Sequence, residues 1–157
     1  MREILLVRFG EVFLKGQNRP FFMKKLMDHI RQAVRPVNGR VWMSEGRFYV
    51  SDFTDMDECI RRVTRVFGVH SVSPAIEMDK DNFEAICEQA ARMMEPLSGT
   101  FKVLARRSDK RYPLDSPAIM REAGGYILDH VPQLTVDVNH PDHTMMIEIR
   151  DHAYLSV

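Results

Sequence analysis

Apolar and polar positions divide the chain into short runs whose spacing alternates between the period of a strand and that of a helix. The continuous apolar run at residues 4–7, β-branched at Ile4 and Val7 and followed by Gly10, predicts a strand covered on both faces. Asn18 and Pro20 predict a helix start, because Asn accepts from free amides and Pro has no donor to lose. Phe22, Leu26, Ile30, Ala33 and Val34 then form an inward stripe that Pro36 and Gly39 stop. Residues 40–43 and 47–50 flank Ser44-Glu45-Gly46 as the arms of a hairpin. Asp55 with Glu58 opens a second helix, with Ile60, Val63, Val66 and Phe67 facing the core and Gly68 ending it. Residues 69–76 supply another strand, interrupted at Pro74.

The order β-α-β-β-α-β is the split pattern of ferredoxin-like domains. A second set of elements begins at Asp81 or Asn82, where Phe83, Ile86, Cys87, Ala90 and Met94 mark a helical stripe closed by Pro96. Residues 100–105 read as a strand, residues 106–114 as a basic loop, and Ser116 with Pro117 as a strong helix start. Ile119, Ala123, Tyr126 and Ile127 share one face of that helix. Strands at 134–138 and 144–149 follow, around Asn139-His140-Pro141-Asp142, with 153–157 as a further strand. The expectation is an α/β (α+β) chain: a ferredoxin-like βαββαβ domain over residues 1–77 and a second α/β domain over 78–157, joined through the acidic stretch at 77–81.

Composition narrows the class. At 157 residues, 45% hydrophobic and 28% charged, the chain has enough apolar material for a packed core and none of the bias of a disordered or fibrous sequence. The 22 basic and 22 acidic residues cancel, but unevenly. Residues 1–75 carry 13 Lys/Arg against 8 Asp/Glu, and residues 76–157 carry 9 against 14. Cys59 and Cys87 both fall in helical patterns, so no disulfide framework is expected and a reducing cytoplasm fits. No run of apolar residues reaches the length of a membrane span, so no membrane partner is expected.

The densest chemistry lies between Phe101 and Pro113, where Arg106, Arg107, Lys110 and Arg111 place four cations in six positions just before the Ser116 helix start. Free amides at a helix start and mobile guanidinium heads both attract phosphate oxygens. The bland alternative is a solvated loop balancing an acidic half. Lys24, Arg31 and Arg35 share one side of the first helix, flanked by Arg19 and Lys25, and Lys15 precedes them. Gly10 and Gly16 do not make a phosphate loop: five residues intervene, and Gln17 follows. His140, His143, His152 and Asp142 lack the spacing of a metal site, so no metal is expected. Gly124 and Gly125 are costly inside a helix and suggest close approach of a backbone or ligand. No nucleophile–base pair or carboxylate dyad stands out, so no catalytic residue is assigned.

Two segments carry a family resemblance. Arg8-Phe9-Gly10-Glu11-Val12-Phe13-Leu14-Lys15-Gly16-Gln17-Asn18-Arg19 resembles the opening motif of the tRNA 4-thiouridine synthetases, sulfurtransferases also tied to thiamine biosynthesis. Phe9 stands where these proteins often have Tyr, and Gln17 where Lys is common. Residues 101–113, continued by Arg121-Glu122-Ala123-Gly124-Gly125-Tyr126-Ile127, resemble the core of their THUMP domain. The resemblance implies the ferredoxin-like plus THUMP portion of a longer enzyme. Its catalytic part would use ATP with Mg to activate a uridine in tRNA and accept persulfide sulfur from a cysteine desulfurase, with no cofactor held in the segment at hand. It also implies tRNA as partner, with a homodimer possible. Arg106, Arg107, Lys110 and Arg111 are then the expected contacts to tRNA phosphates or the 3′ end, beside Arg121 and the Ser116 helix start. Lys15, Arg19, Lys24 and Lys25 form a second set. The alternatives are a THUMP-type RNA-binding module of another RNA-modifying system and a ferredoxin-like regulatory or oligomerisation domain.

Overall fold

A computed structural model describes residues 1–10, 16 and 18–157. The described chain divides into two compact units, Glu3–Pro74 and Met1–Arg2 with Ala75–Val157.

The first unit contains β1 (Arg2–Phe9), α1 (Arg19–Val34), a 3-10 turn (Arg35–Val37), β2 (Arg40–Ser44), β3 (Arg47–Ser51), α2 (Met56–Thr64) and the start of β4 (Val69–Met78). Its strand order, β2-β3-β1-β4, is that of a ferredoxin-like sheet. The hairpin closes as expected: Glu45 and Gly46 both adopt positive φ, 50° and 79°, the geometry that matches the twist of a two-residue turn. Ser44 then faces Arg47, and Trp42 faces Tyr49. Leu5, Val7, Phe48 and Val50 turn one sheet face toward Leu26, Ile30 and Val34 of α1 and Cys59 and Val63 of α2. Asp55 caps α2 through its carboxylate, which accepts from the Glu58 amide at 3.0 Å.

Three expectations fail here for local reasons. The Asn18 side chain makes no cap bond, and its backbone carbonyl instead accepts from the Phe22 amide at 3.0 Å. Phe22 keeps the phase of the α1 stripe but sits in the first turn, 41% exposed, with its ring edge-to-face on Phe21. Phe67 is 83% exposed because α2 ends at Thr64, and the tight turns that follow, Val66 to Val63 and Val69 to Val66, break the helical phase.

In the second unit, α3 (Phe83–Met94), β5 (Gly99–Arg107), α4 (Ser116–His130), β6 (Leu134–Val136), β7 (His143–Ile149) and β8 (Ala153–Ser156) follow in order. The strands run β4-β8-β7-β5-β6. Central β5 pairs in parallel with both β6 and β7, while β8 is antiparallel to β7 and β4. Its core joins Phe101 and Val103 of β5 and Met145, Ile147 and Ile149 of β7 to Ile86, Ala90 and Met94 of α3 and Ile119, Ala123 and Ile127 of α4. Asn82 caps α3 by accepting from the Ala85 amide at 3.1 Å. Among the described residues, no helix is long and apolar enough to cross a membrane.

Candidate nucleic-acid interface

The basic segment is shorter and better anchored than a free loop. β5 continues through Arg106 and Arg107, which face Glu148 and Ile149 of β7, so these two cations stand at a strand end. Ser108 extends the pairing by donating its amide to the Ile149 carbonyl at 2.9 Å. The turn after it is tied down from several sides. The Tyr112 ring packs into the core and its hydroxyl donates to the Lys80 carbonyl at 2.7 Å, while its amide donates to the Asp109 carbonyl at 3.2 Å. Burial pushes the Tyr112 phenol up from its ordinary pKa, so it remains a neutral donor. Asp109 accepts from Lys80 Nζ at 3.0 Å and from the Arg111 amide and Nε at 3.0 and 3.2 Å. Those bonds, the one from Lys80 foremost, hold its carboxyl at about 2. Lys80 also donates to the Arg150 carbonyl at 2.8 Å.

This frame sorts the four cations. Arg107 points along the loop, where Nη1 donates to the carbonyls of Lys110 and Tyr112, each at 3.2 Å. Its geometry is that of a brace. Arg106, Lys110 and Arg111 are exposed, and among the described residues the Arg106 and Lys110 side chains meet no hydrogen-bond or ion-pair partner. Arg111 touches Asp109 yet keeps 93% of its side chain open to solvent. A rigid turn thus presents three outward cations. Replacing Arg107 with Gln removes two charge-assisted bonds that are partly solvated, so an unfolding loss of about 1 kcal/mol is expected. Thermal unfolding should register it as a fall of about 2–4 °C for a chain of this size.

Ser116 is not the helix cap. Asp115 takes that position, its carboxylate accepting from the Ala118 amide at 2.9 Å, with Ser116 and Pro117 as the first helical residues. A negative charge of the chain's own therefore sits where a free helix start would draw phosphate. Arg121, one turn further on, is exposed and lines a solvent-open groove of about 490 Å³ with Lys102, Gly124, Gly125, Val136 and Val138. A Cβ built on Gly125 would meet nothing within 4 Å, and one on Gly124 only Val103 at 3.9 Å. Neither glycine is required by packing, so both keep the groove floor low.

The second set is split. Arg19 and Lys24 line one concavity with Met23, Met27 and Met43, whereas Lys25 lines another with Phe22, His29 and Phe67, its ammonium 5.3 Å from the Phe21 ring centroid. Lys15 lies outside the described residues. The candidate histidines have separate partners: His143 Nε2 pairs with the Ser98 carbonyl at 3.0 Å, the His140 backbone amide donates to Asp137, and His152 Nδ1 lies 3.2 Å from the Asp151 carboxylate. Asp142 accepts from the amide and hydroxyl of Thr100, and these bonds lower its pKa. Among the described residues, no group of three or more His, Cys, Asp or Glu is placed to hold a metal ion. Cys59 and Cys87 are free and buried, and burial pushes both thiols up to about 11. Neither is a thiolate at neutral pH. Sequence reasoning missed Lys80, Asp109 and Tyr112 as anchors, because their partners are far along the chain. Lys102 belongs to the same basic cluster of the sequence but is not among the expected contacts, and the structure places it on the groove with Arg121.

A ferredoxin-like unit followed by an α/β unit with a cationic turn and groove defines the class: a ferredoxin-like domain joined to a THUMP domain. The family model for the ThiI ferredoxin-like domain matches residues 4–73, and that for the THUMP domain matches residues 80–157. The chain belongs to the tRNA 4-thiouridine synthetase (tRNA sulfurtransferase) family, as its ferredoxin-like plus THUMP portion. A probable tRNA sulfurtransferase of Acetivibrio thermocellus is 42% identical over 164 residues, covering 99% of this chain and 42% of the relative. One from Macrococcus caseolyticus is 42% identical over 157 residues, covering 96% of this chain and 39% of the relative. The chain therefore spans about two-fifths of these relatives. A Pyrococcus horikoshii crystal structure aligns at TM-score 0.84 with 33% identity, over 98% of this chain and 53% of its own. A crystal structure of a 4-thiouridine synthetase–RNA complex with bound ATP aligns at 0.83 with 28% identity, over 99% of this chain and 40% of its own.

Proposed function

We propose that this chain is the tRNA-gripping portion of an ATP-dependent tRNA sulfurtransferase that makes 4-thiouridine, and that residues 78–157 hold the acceptor stem and its 3′ end while residues 1–77 orient it. The observation that carries this reading is the anchored turn whose Arg106, Lys110 and Arg111 point outward, near a groove bearing Lys102 and Arg121. Cations on a pre-ordered turn bind a polyanion without first losing loop entropy. Phosphate contacts position a folded RNA, and its shape selects it. The shallow groove suits unpaired nucleotides of the 3′ end, with aliphatic Val136 and Val138 against base faces and Arg121 and Lys102 on phosphates.

In this reading ATP with Mg supplies activation of the uridine oxygen, and sulfur arrives as a persulfide from a cysteine desulfurase. The spacing from Gly10 to Gly16 and the following Gln17 depart from a phosphate loop, so no residue of this segment is assigned a part in that activation. Sulfur supply for the thiamine thiazole, assembly as a homodimer and a cytoplasmic setting belong to the same proposal and rest on the family.

The test is a titration of full tRNA and an acceptor-stem minihelix at several salt concentrations. Binding well above background at physiological salt, with a steep salt slope, is expected. A regulatory or oligomerisation domain would show neither, and that result would sink the reading. The glycine pair gives a sharper check. Gly125→Ala should stabilise α4 by roughly 0.5–1 kcal/mol, since the added methyl meets open space. Gly125→Leu should instead fill the groove and weaken the minihelix carrying a single-stranded 3′ tail, leaving a blunt one unaffected.

A further inference from the structure

A cationic concavity on the ferredoxin-like unit lies outside the contacts assigned above. Arg31 in the last turn of α1 and Arg35 just past its end stand one turn apart, and Arg40 opens β2. The connection between them is tight. Asn38 adopts the left-handed conformation at φ 58°, and the Gly39 amide donates to the Val34 carbonyl at 3.0 Å. A Cβ on Gly39 would lie 2.7 Å from that of Val34, so glycine is required for this close approach. The result is a solvent-open concavity of about 440 Å³ lined by Arg31, Arg35, Asn38, Gly39, Arg40 and Val41.

Little neutralises these charges. Arg31 has one loose ion pair, 3.8 Å to Asp28. The Arg35 and Arg40 side chains meet no partner among the described residues. Asp52, beside Arg40's cross-strand neighbour Ser51, accepts the Ser51 hydroxyl at 3.0 Å. Cations at a helix end are favoured by the helix dipole, which accounts for Arg31 and Arg35. It does not account for Arg40, which the strand brings in from outside the helix. Lys24 and Arg31 on α1 and Arg35 in the turn that continues it also follow one exposed row, about 16 Å long at the helical rise per residue. No aromatic ring lines the concavity, so its chemistry is that of a phosphate contact without base stacking.

We propose that Arg31, Arg35 and Arg40 form a further phosphate-binding site that holds the backbone of structured RNA, with Lys24 continuing the track. This rests on the RNA-binding reading above and gives the ferredoxin-like unit its own grip. The experiment compares the unaltered chain, the triple variant Arg31→Gln/Arg35→Gln/Arg40→Gln and a loop variant, Arg106→Gln/Lys110→Gln/Arg111→Gln. The probe is an acceptor-stem minihelix, titrated across salt and mapped by phosphate-ethylation interference. The α1–β2 variant should stay folded with a melting temperature lower by no more than a few degrees, lose about tenfold in affinity near 0.1 M salt and lower the salt slope by about two to three. It should also lose interference at phosphates distinct from those silenced in the loop variant. Unchanged affinity and slope in this variant, with the loop variant impaired, would overturn the site while leaving the RNA reading intact. Absence of minihelix binding by the unaltered chain would overturn both. Displacement of the minihelix by millimolar inorganic phosphate at matched ionic strength, relieved by the triple substitution, would assign the concavity to a small anion instead.

Discussion

Substituting Arg106, Lys110 and Arg111 together by Gln should weaken tRNA binding by about two orders of magnitude at 50 mM salt and only about two- to three-fold at 200 mM. Every cation that no longer neutralises a phosphate takes close to one off the slope of log affinity against log salt. Three such cations correspond to a difference of about forty-fold in how far affinity falls across that salt interval. The three side chains are solvent-exposed, and the turn beneath them is held by Tyr112, Asp109 and Lys80, so the fold should be unaffected. Filter binding at four salt concentrations measures both quantities. An unchanged slope would show that these side chains meet water in the complex. Arg107→Gln provides the contrast, because its guanidinium is spent on the carbonyls of Lys110 and Tyr112 and its removal should register mainly in stability.

The elements that could be read in advance are those whose signals are local. Ser44-Glu45-Gly46 specifies its hairpin because few residues accept positive φ there, and Asn82 and Asp55 cap helices with their own side chains. The alternation of β5 was visible, but its end was not. Arg106 and Arg107 are poor strand formers alone and are kept extended by pairing with Glu148 and Ile149, over forty residues away. Asp115 and Ser116 are both good caps, and only three-dimensional geometry shows which oxygen reaches the Ala118 amide. The charge cluster was likewise plain in the sequence, whereas its division into one brace and three outward heads depends on carbonyl directions that no spacing rule encodes. Gly124 and Gly125 were the opposite case. Their cost in a helix suggests a close approach, but a Cβ on Gly125 would meet nothing within 4 Å and one on Gly124 only Val103 at 3.9 Å, so what they leave is an open groove rather than a packed contact.

Tyr112→Ala should be the most damaging single substitution in the cationic turn. The ring is 8% exposed and packs within the core of the second unit, so truncation leaves a cavity of aromatic size, at a cost of about 3–5 kcal/mol. It also strands the Lys80 carbonyl, which accepts the phenol at 2.7 Å. A loss of that size corresponds to a melting temperature lower by on the order of 10 °C. Tyr112→Phe keeps the ring and removes only the hydroxyl, so it should cost about 1 kcal/mol. The pair separates packing from polarity, and it links stability to function. If the turn works because it is pre-ordered, Tyr112→Ala should weaken tRNA binding even at a temperature where the protein remains folded, although Arg106, Lys110 and Arg111 are all still present. Tyr112→Phe should then bind nearly as the unaltered chain does, since the core still holds the turn through the ring. Equal affinities for the two variants, measured well below both melting transitions, would mean that the cations act as a flexible cluster and that the anchoring at Tyr112 has no part in recognition.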